Sequence, residues 1–506
     1  MRSLVAVATR ARTPFSAVKR KLFACVFAIA LSGVAAARDA AQQTPALTLM
    51  SVTTKSEEAR TLLRDGLRKW QILYTEEGLR EWRKAVELDP QFALAHTFLF
   101  FLSRDPVEQS SEREKALATK RFAGHEEQLI IDWLSSSMDG SWIPAIQAMN
   151  EAQQEFPGDR DLAWLAGRWL TGQQQWGRAA VTYERVVRLD PNFPEGWNSL
   201  GYCYARTRMF GKAFAAMKKY TGLLPNESNS QDSFAEISRI AGKFDDALVH
   251  YRASLKIDPN FVESILGMAD TLALMGDEAQ ARAEYAQAIQ HAHSYVEVAL
   301  FTRQSAITYV RENNYKQADA ELSALAQQAH EKNLGTVEAE AYRMMALYQK
   351  DDAKALELLQ KSESALHEDH PMPRSLVDQQ LAAILRTRVE RAVQANKPDL
   401  ANSALKELAG LAGSSSDAAI QMAYDAASGA ILLAQGSYEE AVSHLEEDDR
   451  NPFSLKRLAT AYDKLGEKEK AKQAEERLAG FFEPTLEQAL VVPSKRSPAR
   501  SSKTRS

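Results

Sequence analysis

Cysteine is nearly absent: in 506 residues only Cys25 and Cys203 are cysteines. Two thiols allow at most one bridge, and cleavage of an N-terminal segment containing Cys25 would leave Cys203 alone, so that no internal disulfide can form. Stability then has to come from packing, and a lone thiol on an apolar helix face reads as a small buried hydrophobe. Gly-rich phosphate loops and nucleophile elbows are also missing, which removes the common signatures of nucleotide-dependent and α/β-hydrolase chemistry. The run "SALK", Ser403 to Lys406, matches Ser-x-x-Lys but lacks the companion motifs of that chemistry and sits in a helix-like stretch.

Histidine clusters twice, as "HAH" (His291, His293) and "HEDH" (His367, Glu368, Asp369, His370). The first falls where polar residues between helices are expected. The second is one residue short of the His-Glu-x-x-His spacing that puts two imidazoles on one helix face. A metal-dependent hydrolase built on these histidines is the rival reading; the preferred one has no metal, no cofactor and no catalytic residue.

Acidic residues are absent from the first 37 positions. Six basic residues (Arg2, Arg10, Arg12, Lys19, Arg20, Lys21) precede the uncharged "LFACVFAIALSGVAAA", and Ala35 and Ala37 offer an A-x-A cleavage site. The order of basic, apolar and small residues reads as a secretory signal peptide over residues 1–37, and the apolar run is short of the ~20 residues a spanning helix needs. Export to the periplasm or beyond is expected, with no stable membrane span after cleavage. An uncleaved anchor is the alternative, and organelle targeting a lesser one. Cys25 is not read as a lipidation site, because the apolar run follows it. Cleavage would change the net charge from -5 to -11 by removing six positive charges.

What the chain has in abundance is self-similarity. Pro157, Pro191, Pro225 and Pro259 are 34 residues apart, and so are Ala145, Ala179, Ala213, Ala247 and Ala281. Numbering a unit from Arg160 puts Ala163, Ala166, Gly167 and Leu170 at positions 4, 7, 8 and 11, then Ala179, Tyr183 and Val186 at 20, 24 and 27. The next unit, from Pro194, has Trp197, Leu200, Gly201, Tyr204, Ala213, Met217 and Tyr220 in step. Apolar residues three and four apart give one sticky stripe on each of two helices, A and B. Small residues at positions 8 and 20 let the helices approach; Gly242 and Gly276 suit the turn between them; proline at position 32 ends helix B. One unit alone cannot offset its ordering cost of about 1 kcal/mol or more per residue, so units must stack.

The pattern resembles the tetratricopeptide repeat, whose signature is W-x2-L-G-x2-Y, then A-x3-F, then P, over 34 residues. The resemblance implies an all-α, right-handed solenoid of stacked antiparallel helix pairs, here about nine or ten. Residues 38–54 read as a linker, 55–124 as divergent first units, 125–293 as the regular array and 294–482 as divergent units with candidate position-20 alanines Ala318, Ala355, Ala401, Ala441 and Ala471. "GLAGSSSDAA" (Gly410 to Ala419) reads as a flexible joint. Residues 483–506, with five basic residues after Pro493, read as a disordered tail; binding an anionic polymer through it is a third reading.

In proteins with this repeat, helix A positions 2, 5, 9, 12 and 13 commonly line a concave groove for extended peptides or partner helices. Carried over, these give Trp164, Arg168, Asn198, Tyr202, Arg206, Asp232, Glu236, Arg239 and Asp270. The resemblance therefore implies a non-catalytic scaffold of the cell envelope that binds proteins or peptides, with no nucleic-acid partner expected and oligomeric state left open. Asp232, Glu236 and Asp270 argue against capture of an acidic chain end. All eight tryptophans lie between Trp70 and Trp197 and are expected mainly in the core.

Overall fold

The computed structural model describes residues 45–492, apart from 73, 104 and 367–372. The chain divides into two compact units, Met1–Ala46 and Leu47–Ser506; of the first, only Pro45 and Ala46 are described, as exposed coil. The expected signal peptide, the basic tail from 493 onward and the His367–His370 cluster lie outside the described residues. All the helices among the described residues belong to the second unit.

Among the described residues twelve helix pairs follow one another, not nine or ten: α1 (Glu57–Gln71) with α2 (Thr75–Leu88), α3 (Ala93–Leu102) with α4 (Pro106–Thr119), α5 (His125–Met138) with α6 (Trp142–Glu155), α7 (Arg160–Gly172) with α8 (Trp176–Leu189), α9 (Pro194–Arg206) with α10 (Phe210–Leu223), and α11 (Ser228–Ile240) with α12 (Phe244–Ile257). The series continues with α13 (Val262–Met275) and α14 (Glu278–His291), α15 (Tyr295–Arg311) and α16 (Tyr315–Glu331), α17 (Gly335–Tyr348) and α18 (Asp352–Leu366), α19 (Arg374–Gln394) and α20 (Pro398–Ser414), α21 (Ala418–Gln435) and α22 (Tyr438–Leu445), and α23 (Pro452–Lys464) and α24 (Lys468–Ala479). A short helix, α25 (Leu486–Val491), ends the described chain. This is an all-α solenoid. No strand occurs among the described residues; one isolated bridge joins Thr48 to Asp159.

The extra pairs lie where the period was uneven. Ala318, Ala355, Ala401, Ala441 and Ala471 all sit buried on the B helices of five successive pairs. The steps between them vary because the helices vary in length: α15 and α16 have 17 residues each and α19 has 21, against 13 or 14 in the regular array. Packing fixes the face of each helix and leaves its length free.

Sequence chemistry accounts for the joints. Gly66 and Gly167 stand where a Cβ would run into the rings of Trp82 and Tyr183, and Gly429 faces Leu445 in the same way. These glycines let an aromatic or aliphatic side chain of helix B lie against the backbone of helix A, the reason position 8 is small. At the A-to-B turns Gly140, Gly242, Gly276, Gly436 and Gly466 have positive φ; Gln174, Arg208, Asn313 and Asn396 adopt the same left-handed angle in the equivalent turns. Between pairs, an Asp-Pro-x-Phe loop is built three times over. Asp89, Asp190 and Asp258 accept the amide two residues on at 3.0 to 3.1 Å, and each Asp carbonyl accepts the amide of buried Phe92, Phe193 or Phe261.

Three sequence expectations are corrected. Residues 47–54 are no free linker. Met50 and Val52 are buried, Ser51 and Thr53 bond to the carboxylates of Glu126 and Glu127, and Thr48 exchanges backbone hydrogen bonds with Gly158 and Arg160 at 2.9 and 3.1 Å. Alternation of buried Met50 and Val52 with exposed neighbours is the period of an extended strap, too short to register as an element from sequence. Residues 483–492 are likewise no disordered tail, since α25 buries Leu486 and Gln488. Neither is "GLAGSSSDAA" a flexible joint: Gly410 and Gly413 lie in α20 with open space where a Cβ would be, and Asp417 caps α21 through the amides of Ala419 and Ile420.

The A helices of successive pairs touch, as α9 with α11, α11 with α13 and α19 with α21, which puts them on the inner side of the curve. The curve closes on itself. Ser375 at the start of α19 donates to the carbonyl of Met138 at the end of α5, and the Ala418 amide of α21 donates to Gln173 beside α7, both at 3.1 Å. Each of these contacts joins helix A of one pair to helix A seven pairs on, so one superhelical turn takes about seven pairs.

Gly66→Ala is expected to destabilise the protein by about 2 kcal/mol, because overpacking against Trp82 outweighs the ~1 kcal/mol gain in helix propensity. Gly222→Ala in α10, where a Cβ meets open space, should shift stability the other way; denaturant unfolding of both variants measures the contrast.

Candidate partner-binding groove

The residues expected along the groove do lie on A helices, but most are engaged within the chain. Trp164 is 1% exposed, boxed in by Trp70 and Phe193 edge-on at 5.1 and 6.4 Å. Arg168, one turn on, is exposed and lies over both Trp70 and Trp164 at 4.9 and 5.3 Å from the ring centres. Asn198 is buried and donates to Glu195 at 3.3 Å. The Tyr202 hydroxyl donates to Glu236 at 2.7 Å, one repeat of 34 residues further on. Asp232 accepts from Ser264 in the next pair at 2.7 Å, and Asp270 accepts from Tyr285 at 2.6 Å.

The polar side chains of the inner face thus cross-link successive units. Ionic groups here are expensive to bury. Burial pushes the carboxyls of Asp270 and Asp448 up to about 6 and those of Asp159 and Glu195 up to about 7, and it holds Asp232 well above the ordinary aspartate value. In Glu195 the Asn198 hydrogen bond opposes the effect of burial without cancelling it.

Half of the expected groove is filled by the chain itself. Residues 480–491 run against α9, α11, α15 and α17. Glu483 pairs with Arg206, the Phe482 carbonyl accepts from Arg239 at 3.1 Å, Gln488 bonds to Arg311, and Glu487 lies 3.8 Å from Arg343. The Phe482 ring stands edge-on to Phe244 at 5.1 Å and covers Gly242, where a Cβ would meet it at 2.5 Å. Gly242 is therefore doubly required, by φ and by space. The sequence holds a signal for this docking: "FFEPTLEQAL" has two aromatics and three further apolar residues just where a solvated tail was expected to begin.

The other half is open. A cavity of about 330 Å³ lies between the strap, α1, α7 and the start of α9. Met50, Leu67, Leu165, Phe193 and Leu224 wall it, Arg64 and Arg68 stand at its margin, and Asp161, Glu195 and Glu227 line it as well. Trp164 Nε1 and Glu195 Oε1 are buried without a hydrogen-bond partner, as is Asn198 Oδ1 alongside. Of the sequence-derived residues, Trp164 reaches this cavity. Asp161 and Glu195 were passed over although they occupy position 2, one of the groove positions of their units; Arg64 and Arg68 belong to the first unit, whose register is altered.

The remaining candidates are dispersed. His291 and His293 lie at the end of α14 and in the loop after it, where His293 is 3.4 Å from Glu297. Ser403 and Lys406 are exposed on α20. Among the described residues the metal-competent side chains that gather in a group of three are His125, Glu151 and Glu155, all exposed. Cys203 is buried, and burial pushes its thiol up to about 12, so it packs as a hydrophobe.

A family model described as tetratricopeptide repeat matches residues 239–304. The chain is similar to Superkiller complex protein 3 of Mus musculus, 27% identical over 154 residues, which is 30% of this chain and 10% of that protein. The Homo sapiens protein of the same name is 26% identical over 208 residues, 40% of this chain and 13% of that one. A match at 22% identity over 128 residues, 25% of this chain and 9% of the relative, is to a UDP-N-acetylglucosamine–peptide N-acetylglucosaminyltransferase of Giardia intestinalis. The chain thus spans about a tenth of the length of these relatives. Among solved structures, the anaphase-promoting complex hetero-tetramer Cut9–Hcn1 aligns with a TM-score of 0.42 at 13% identity, covering 85% of this chain and 78% of that one. A tetratricopeptide repeat protein from Parabacteroides merdae aligns at 0.33 and 12%, covering 61% and 99%.

Two outcomes are expected. Leu486→Ala should cost about 2–4 kcal/mol as a buried leucine truncation, and amide exchange should accelerate in α25 before it does in α9 or α11. Ionising the buried carboxyls costs stability, so their contribution is full below about pH 4 and is lost as pH rises through 6 to 7. The melting temperature should therefore fall between pH 5 and pH 8, and Asp270→Asn should flatten that fall, recovering on the order of 3 kcal/mol at pH 8.

Proposed function

We propose, from the premise that this chain is a tetratricopeptide-repeat protein, that it is a non-catalytic docking scaffold which is exported and holds a segment of a partner protein in the open part of its inner face, between α1 and α9. A protein–protein interaction scaffold is what the repeat itself supports. The observation that carries the finer reading is the 330 Å³ cavity beside Trp164, whose apolar walls and partnerless buried polar atoms suit a ligand with both apolar and polar parts.

The division of the inner face supports the same location. Arg206, Arg239, Arg311 and Arg343 already have partners in residues 482–488, whereas Arg64, Arg68 and Arg168 near the cavity are exposed. An exposed guanidinium stacked on two tryptophans is a common kind of interface anchor. The leader of residues 1–37, basic then apolar then small, supports export.

A photo-reactive residue in place of Arg68 should crosslink a partner in intact cells, while the same residue in place of Val181, exposed on helix B, should not. The crosslinked protein should begin after Ala37 on N-terminal sequencing. Equal labelling from both positions would remove the docking site from the inner face, and an intact leader in the crosslinked product would remove cleavage.

A further inference from the structure

The chemistry of the cavity selects its occupant. Glu195 is 4% exposed and lines the cavity; its Oε1 has no partner in hydrogen-bond geometry, although the Tyr220 hydroxyl is close by, and its other oxygen accepts from Asn198. An open carboxylate oxygen on the wall of the cavity calls for an N–H donor, best a charged one. Around it Leu67, Leu165, Phe193 and Leu224 offer only apolar surface, which suits an alkyl stem and not a second polar group. We propose that the cavity receives a lysine or arginine side chain of the partner segment, its stem against the leucines and phenylalanine and its charged end on Glu195.

The charges around the cavity are compatible with a cation. Arg160 is neutralised by Asp161 and Asp190 at 2.7 and 2.8 Å. That leaves Arg64 and Arg68 against Glu195 and Glu227 among the lining groups, with Arg168, stacked on Trp164, also close enough to act on Glu195. The two arginines are exposed and screened by solvent; Glu195 is buried, which favours its neutral form, and an entering ammonium or guanidinium would hold it as the carboxylate. At the mouth the arginines are placed to take main-chain carbonyls of an extended segment. The remaining buried donor, Trp164 Nε1, can take one more carbonyl.

This inference rests on the docking site proposed above, and one experiment separates the two. Fluorescently labelled hexapeptide pools carry lysine, arginine, norleucine or glutamate at a fixed central position, with mixed neutral residues elsewhere. Anisotropy is read against the full chain and against Glu195→Gln and Arg68→Glu variants whose melting curves are recorded. The lysine and arginine pools should bind at least tenfold tighter than the norleucine pool, and Glu195→Gln should reduce that ratio to threefold or less while leaving norleucine binding unchanged. Norleucine or glutamate pools binding as tightly as lysine overturn the basic side chain but leave the docking site standing if Arg68→Glu alters their affinity. Should every pool fail to bind, or bind identically to the wild-type and Arg68→Glu chains, the docking site falls with it. If Glu195→Gln does not fold, the lysine-to-norleucine ratio on the wild-type chain decides the matter.

Discussion

The structure depends on one constraint: no helix pair can bury its own apolar stripe, so each borrows a covering face from the next. Gly66 under Trp82 and Gly167 under Tyr183 bring the two helices of a pair close enough for the rings to be covered. The Asp-Pro-x-Phe loops then deliver Phe92, Phe193 and Phe261 into the seam between pairs. Because the seam is set by the faces of the helices, a helix can gain a turn, as α19 does, without breaking the stack.

Stacking curves the array and brings the A helices together on its inner side, and that crowding explains the buried polar chemistry. Side chains that sequence places on a groove, such as Tyr202, Asp232 and Glu236, find partners about one repeat away at 2.7 Å. Such bonds make the inner face an ordered polar network whose orphaned members are costly. Buried polar atoms without a partner occur elsewhere too, as at Asn229 Oδ1 and Gln304 Oε1; those of Trp164 and Glu195 differ in belonging to residues that line an open cavity.

The second consequence of curvature is contact between units seven pairs apart, as at Ser375 with Met138 and Ala418 with Gln173. This joins the regular and divergent halves, and the segment after α24 lies along the inner face. There its carboxylates and carbonyl meet arginines supplied by α9, α11 and α17. The inner face is thus divided into a stretch covered by the chain's own residues 480–491 and a stretch left open, which is where docking is proposed.

Sequence alone determined the repeat, because its causes are local: a small residue where two helices meet, a left-handed residue in the turn, a proline after helix B. It also determined that Cys203 packs as a core residue and that most tryptophans do. The number of pairs escaped it where helix length changed, and the turn positions of Gln174 and Arg208 carried no glycine to mark them. Tertiary structure alone decided which groove residues stay free, because the strap at Met50, the segment at Phe482 and the contacts seven pairs apart are set by superhelical curvature, a sum of small rotations between units that no single repeat encodes.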